Sequence, residues 1–236
     1  MAPWEQVIVT KSEELPGRAA GWLTAELRAA IAARGTASLA LAGGRTPQAL
    51  YGALTKPPFV GSLDWGRVDI FFGDERAVPP DHPDSNYGMA RATFLARVPI
   101  PPERVHRMEA ERPDREQAAA DYARVLPRHL DVLLLGMGPD GHTASLFPHS
   151  SVLQERERAV VAVVGPKPPV ERLTITPPVV AAARHVVVIV TGSEKAEMVA
   201  RALEGPLAPL ELPIQLARDG VWFLDRAAAQ GLARRP

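Results

Sequence analysis

Short aliphatic and β-branched runs alternate along the chain with longer stretches whose apolar positions recur every three to four residues, the period of a helix with one buried face. Val7-Ile8-Val9 reads as a first strand and Glu13 to Arg34 as a helix. Leu39 to Ala42 is a buried strand ended by Gly43-Gly44, with a helix beginning near Pro47, a residue suited to a first helical turn. Val68 to Phe72 is a third strand, followed by a loop dense in Pro and Asp and a helix from about Asn86. Gln117 to Arg128 is helical, and Val132 to Leu135 is a fully apolar strand. Val160 to Val164 and Val186 to Val190 repeat that type, the second followed by a helix from Ser193 to Leu203. Leu173 to Thr176 is strand-like, and Val221 to Leu224 reads as a last edge strand.

Strands of this kind alternating with helices predict an α/β fold, a mostly parallel sheet flanked by helices on both faces. No repeat, low-complexity tract or linker divides the chain, and Gly165 to Pro169 reads as a loop, so one domain over residues 1–236 is expected. Ligands of such sheets bind outside the carboxyl ends of the strands. The polar, glycine-rich segments fall mainly at those ends: Gly43 to Thr46, Gly73 to Arg76, Gly136 to His142 and Thr191 to Lys195.

Composition narrows the function. The 236 residues are 46% hydrophobic and 23% charged, as in an ordinary globular protein. Lys and Arg number 27 and Asp and Glu 27, so no net field favours nucleic acid or an anionic membrane, and neither is expected as a partner. An anionic substrate must then be held by a local cluster of cations. The absence of cysteine removes disulfides, thiolate catalysis and Cys-based zinc sites. Met1 to Lys11 lacks the pattern of a secretion leader, and no apolar stretch approaches the roughly 18 residues of a membrane span. A cytoplasmic protein is expected by elimination.

Four segments carry candidate chemistry. In the first, Gly43, Gly44, Arg45 and Thr46 lead into a helix whose free N–H groups favour phosphate, with Thr46 as its cap; a plain strand-to-helix turn fits equally. A Walker A loop is excluded, because the Gly-Lys-Ser/Thr ending is missing. In the second, Arg76 suits phosphate, and Asp74 suits sugar hydroxyls or proton transfer; a surface salt-bridge cluster is the competing reading. Ser85-Asn86 is first of all a capping signal.

The third segment, Gly136 to Pro148, delivers Asp140 and His142 from the end of an apolar strand. Histidine is the side chain best suited to accept a proton near neutral pH, and a neighbouring carboxylate fixes its tautomer. Gly138 and Gly141 leave room for substrate and for backbone amides facing an oxyanion. Three rivals stand beside this reading: a dinucleotide fingerprint through Gly136, Gly138 and Gly141, a metal held by Asp140, His142 and His149, and Ser145 as nucleophile. The fingerprint stands mid-chain with an acid inside it, the metal spacing fits no familiar pattern, and Ser145 lacks the Gly-x-Ser-x-Gly elbow. In the fourth, Arg172 and Lys195 stand at strand ends and form a candidate phosphate clamp, although each alone is commonly a solvated charge.

The run Gly-Met-Gly-Pro-Asp-Gly-His-Thr-Ala-Ser-Leu-Phe-Pro at 136–148 resembles the signature of the 6-phosphogluconolactonases. Ala-Gly-Gly-Arg-Thr-Pro at 42–47 is similar to that family's first phosphate loop, and Gly-Asp-Glu-Arg-Ala-Val-Pro at 73–79 with Ser85-Asn86 to its second segment. Arg172-Leu-Thr and Gly192-Ser-Glu-Lys195-Ala continue the order, so the likeness covers nearly the whole chain. The related glucosamine-6-phosphate deaminases share the Rossmann-like fold but carry a Phe-Asn-Glu-Pro-like sequence after the Asp-Gly-His. Here Ser145-Leu146-Phe147-Pro148 stands instead, without that carboxylate. One departure is Arg45, where a small hydroxyl residue is common.

The resemblance implies hydrolysis of 6-phospho-D-glucono-1,5-lactone, the second step of the oxidative pentose phosphate pathway, with no metal or cofactor. His142 would activate water, assisted by Asp140 and Asp74. Gly43, Gly44, Arg45, Thr46, Arg76, Gly138, Arg172 and Lys195 would bind substrate. The alternatives are a deaminase or isomerase of an amino-sugar phosphate, and a sugar-phosphate sensor without turnover. The oligomeric state is left open and is compatible with a monomer.

Overall fold

The computed structural model describes residues 6–233. Residues 1–5, part of the segment read for a secretion leader, lie outside the described residues. Six strands form one sheet: β1 (Val7–Thr10), β2 (Ala37–Leu41), β3 (Val68–Phe72), β5 (Val132–Leu135), β8 (His185–Val190) and β9 (Val221–Asp225). Their order is β1-β9-β8-β5-β2-β3, and every pairing is parallel. Every residue of β2 and β5 is buried, as both faces of the sheet are covered. The helices around it are α1 (Leu15–Arg34), α2 (Arg45–Leu54), α3 (Asn86–Thr93), α4 (Arg115–Val125), α5 (Pro177–Ala182) and α6 (Ala196–Glu204). No helix among the described residues is long and apolar enough to cross a membrane.

A second sheet was not foreseen. The strands β4 (Asp74–Arg76), β7 (Glu171–Ile175) and β6 (Val160–Val164) pair antiparallel in the order β4-β7-β6. Val160–Val164 therefore does not extend the parallel sheet, although its composition matches strands that do. Gly73 is the seam: its N–H donates to Leu41 O at 2.9 Å, and its carbonyl accepts from Ile175 N at 2.9 Å. The strand expected at the edge, 221–224, lies inside, between β1 and β8. Its apolar run Val-Trp-Phe-Leu cannot by itself report how many neighbours it has.

Local chemistry explains most boundaries. Helix α1 starts at Leu15 rather than Glu13, with Pro16 in the first turn where its missing N–H is harmless, and ends at Gly35 in the left-handed region (φ 83°). Asp114 caps α4 by accepting from Gln117 N at 2.9 Å, and the helix stops before Pro127 rather than reaching Arg128. Ser85 caps α3 as expected, accepting from Gly88 N at 3.0 Å. Helix α2 begins at Arg45 with Gly44 as its cap (φ 100°), so Thr46 is not the capping residue and Pro47 sits third. The helix expected from Ser193 is a 3₁₀ turn, Ser193–Lys195, running into α6.

Candidate active site

The chain leaves β2 toward β3 on one side and later returns to β5 on the other, so a crevice opens between the carboxyl ends of β2 and β5. A cleft of about 200 Å³ lies there. All four glycine-rich segments reach it, and Arg45, Thr46, Asp74, Arg76, His142, Arg172 and Lys195 all line it. Parallel pairing brings β2, β3, β5 and β8 to the same edge, and the antiparallel sheet adds Arg76 and Arg172 from the side.

His142 and Asp140 form a closed pair in the loop after β5. The imidazole Nδ1 lies 2.5 Å from Asp140 Oδ1, which also accepts from the His142 N–H at 3.3 Å. Burial would raise the Asp140 carboxyl, but the hydrogen bond and charge of His142 outweigh it and hold Asp140 below the usual carboxylate range. Asp140 is then an acceptor-only carboxylate, so Nδ1 is the protonated nitrogen of the pair, and in the neutral imidazole the lone pair is on Nε2. Gly138 makes the pair possible: a Cβ there would stand 2.1 Å from the imidazole and 2.7 Å from Asp140 Oδ1. The amides of Gly138 and Gly141 do not face an oxyanion as expected. Gly138 N–H donates to His142 O at 2.9 Å and Gly141 N–H to Gly138 O at 3.0 Å, which closes the loop on itself.

Asp74 is nearly sealed. It is 6% exposed; Oδ2 accepts from Ser145 Oγ at 2.6 Å and Oδ1 from Asn86 Nδ2 at 2.9 Å. Both oxygens are engaged, so Asp74 fits a positioning part better than proton transfer. Ser145 is wholly buried with its hydroxyl on Asp74, which removes the nucleophile reading. Asn86 fits beneath Gly43, where a Cβ would meet its Oδ1 at 2.0 Å. Glu75 faces inward, accepting from the N–H groups of Arg76, Asn86 and Tyr87, each at 2.8 Å, and from Ser85 Oγ at 3.0 Å. Burial pushes its carboxyl up against those four donors. Glu75 thus holds the start of α3, and with it Asn86.

The cations form two pairs. Arg76 and Arg172 stand directly opposite across β4 and β7. Arg172 Nε and Nη2 donate to Pro169 O (3.0 Å) and Lys167 O (3.2 Å). Arg76 Nη1 donates to Asp84 O at 2.5 Å, while its buried Nε has no partner among the described residues. On the other side, Lys195 Nζ donates to Met137 O, and burial lowers the ammonium's pKa, Arg45 adding to the effect. The Arg45 side chain makes no hydrogen bond or ion pair among the described residues, although it opens α2, where the helix dipole disfavours a cation. The N–H groups of Arg45 and Thr46, in the first turn of α2, have no carbonyl one turn back. Thr46 Oγ1 lies 2.8 Å from Thr191 Oγ1 and ties the first loop to the fourth. The cleft thus gathers free amides and four cations, a setting for an anion.

The rival readings lack their geometry. No helix follows Gly141 to receive a pyrophosphate. Among the described residues no three His, Cys, Asp or Glu side chains gather as metal ligands, so Asp140, His142 and His149 do not converge. In the sequence Asn86 reads as part of a capping signal and Ser145 as a nucleophile without its elbow, and neither points to Asp74. Their link to Asp74 spans 12 and 71 positions and leaves no local signal.

A family model described as glucosamine-6-phosphate isomerases/6-phosphogluconolactonase matches residues 10–223. A Streptomyces coelicolor protein named 6-phosphogluconolactonase is 41% identical over 254 residues, covering 99% of this chain and 97% of its own. The solved 6-phosphogluconolactonase of Trypanosoma brucei superposes with a TM-score of 0.85 at 30% identity, covering 97% of this chain and 98% of that one. A monomeric glucosamine-6-phosphate deaminase reaches a TM-score of 0.84 at 22% identity, covering 96% and 99%, a likeness of fold.

Proposed function

Because the chain belongs to the glucosamine-6-phosphate isomerase and 6-phosphogluconolactonase family, we propose that it hydrolyses 6-phospho-D-glucono-1,5-lactone to 6-phosphogluconate with His142 as the base. The observation that carries this reading is His142, which lines the cleft that also gathers the cations and holds its Nδ1 2.5 Å from Asp140. His142 Nε2 takes a proton from water as its oxygen attacks the lactone carbonyl. The tetrahedral intermediate collapses with loss of the ring oxygen, which takes the proton back from the imidazolium. Asp140 stabilises that imidazolium and fixes its tautomer. Arg76, Arg172, Lys195, Thr46 and the amides of residues 43–46 anchor the phosphate, with Arg45 adding charge at the rim.

The runner-up, deamination of an amino-sugar phosphate, needs a carboxylate after the Asp-Gly-His, and in the stretch Ser145-Leu146-Phe147-Pro148 this chain places Phe147 at that position. The cleft uses both sheets, which supports one functional domain over residues 1–236, and its proposed compartment is the cytoplasm. The deciding assay is lactone hydrolysis on freshly generated substrate, corrected for spontaneous hydrolysis, with and without chelator. His142→Ala should lower kcat at least ~10²-fold with KM less affected. A folded variant with near-normal kcat would remove His142 as base, and ammonia release from glucosamine 6-phosphate would favour the runner-up.

A further inference from the structure

His142 and Arg172 come from different sheets, yet they lean on one ring. The Phe147 centroid lies 4.8 Å from that of His142, with the planes at 45°, and 5.6 Å from the guanidinium carbon of Arg172. Both contacts fall within the range of aromatic and cation–π packing. Phe147 is only 7% exposed and stands behind His142 and Arg172, which line the cleft. The turn between β6 and β7 closes on it: a Cβ at Gly165 would stand 2.9 Å from the phenyl Cε2 and 3.1 Å from Arg172 Nε. The same turn holds Arg172 through the carbonyls of Lys167 and Pro169. Phenyl, guanidinium and turn therefore pack as one block, and the imidazole rests against it.

We propose that Phe147 is a positioning residue that couples Arg172 to His142, so that an anion held by the guanidinium steadies the base. The inference rests on the roles given above to His142 and Arg172 and adds a link between them. An occupied guanidinium has less freedom to move, the ring packed against it keeps its rotamer, and the imidazole keeps its aim at the carbonyl. Displacing a catalytic group by about 1 Å costs on the order of 10²-fold in rate, so a soft wall here would be felt in kcat.

The test separates the phosphate from the lactone. Unphosphorylated glucono-1,5-lactone is assayed with and without inorganic phosphate, and the phosphorylated lactone alongside. The wild type should be activated by added phosphate. Phe147→Leu should lose that activation and drop about tenfold or more in kcat on the phosphorylated substrate, while Phe147→Tyr, which keeps the ring, restores most of both. Gly165→Ala leaves Phe147 in place but pushes it, and should reproduce the Leu phenotype even if F147L folds poorly. Equal phosphate activation in wild type and F147L overturns the coupling, as does no activation in the wild type or wild-type kcat in both F147L and G165A. An inactive His142→Ala beside those results leaves the proposed function standing; an active one removes that function first.

Discussion

Ser145 Oγ donates to Asp74 Oδ2 at 2.6 Å, joining the 136–148 loop to the first residue of β4 through two side chains that water barely reaches. The hydroxyl satisfies a buried carboxylate, and its role is architectural. Ser145→Ala should cost about 1–3 kcal/mol of stability, because Asp74 keeps one unsatisfied buried oxygen. It should retain measurable turnover, and mass spectrometry of the wild type under turnover should show no acyl adduct on Ser145. An adduct, or complete loss of kcat in a well-folded variant, would restore the nucleophile.

Asp140 acts on His142 through one oxygen and one ring nitrogen. Asp140→Asn replaces an obligate acceptor with a group that also donates, so the imidazole loses its fixed tautomer. A fall in kcat of roughly 10²-fold, within the range of a positioned base, is expected with little change in KM.

The pair also sets an acid limit. The folded-state pKa of Asp140 is depressed, so its contribution is fully present above its unfolded value, about 3.9, and is lost as pH falls through the lower folded value. Half-exposed as it is, this contribution to stability is small. A pH titration of melting temperature should show an acid limb that flattens in D140N; an unchanged limb would mean that the pair does not stabilise the carboxylate.

Gly43 carries its consequence through Asn86. An added Cβ would lie 2.0 Å from Asn86 Oδ1, so Gly43→Ala must displace the amide that holds Asp74. Turnover should fall by about tenfold or more, since sub-ångström aim matters in such sites. The paired readout is Asn86→Ala: if the clash acts through Asn86, the double variant should be no worse than N86A alone.

Arg76 and Arg172 face each other with like charge, an arrangement that destabilises a strand pair unless an anion lies between them. Arg76→Met should therefore melt at the same or a higher temperature than the wild type while its KM for the phosphorylated lactone rises. Unphosphorylated lactone should be hydrolysed nearly as before. An equal loss on both substrates would show that Arg76 does not serve the phosphate.

Much of this was legible in the chain. The alternation of apolar runs and amphipathic stretches gave the α/β class, and glycine-rich segments after strands marked the edge where β2, β5 and β8 end. Asp140 and His142 are two residues apart, so their pairing is a local property. What stayed hidden joins distant positions. Val160–Val164 and Val186–Val190 look alike, yet one pairs antiparallel with β7 and the other parallel with β5 and β9. Composition reports that a strand is buried, not which partner buries it. Thr46 looked like a cap because it precedes Pro47, but Gly44, free to take φ 100°, starts the helix earlier and releases Thr46 to meet Thr191.

By itself the sequence determined the segments that carry chemistry, because motif spacing and strand-end position are written along the chain. The tertiary structure decided which groups remain available. It bound Asp74 to Ser145 and Asn86, turned the Gly138 and Gly141 amides onto their own loop, and left Arg76 Nε and the Arg45 side chain without partners among the described residues. The physical reason is that a side chain's reactivity depends on the donors and acceptors it has already met, and those arrive from elements tens of residues away.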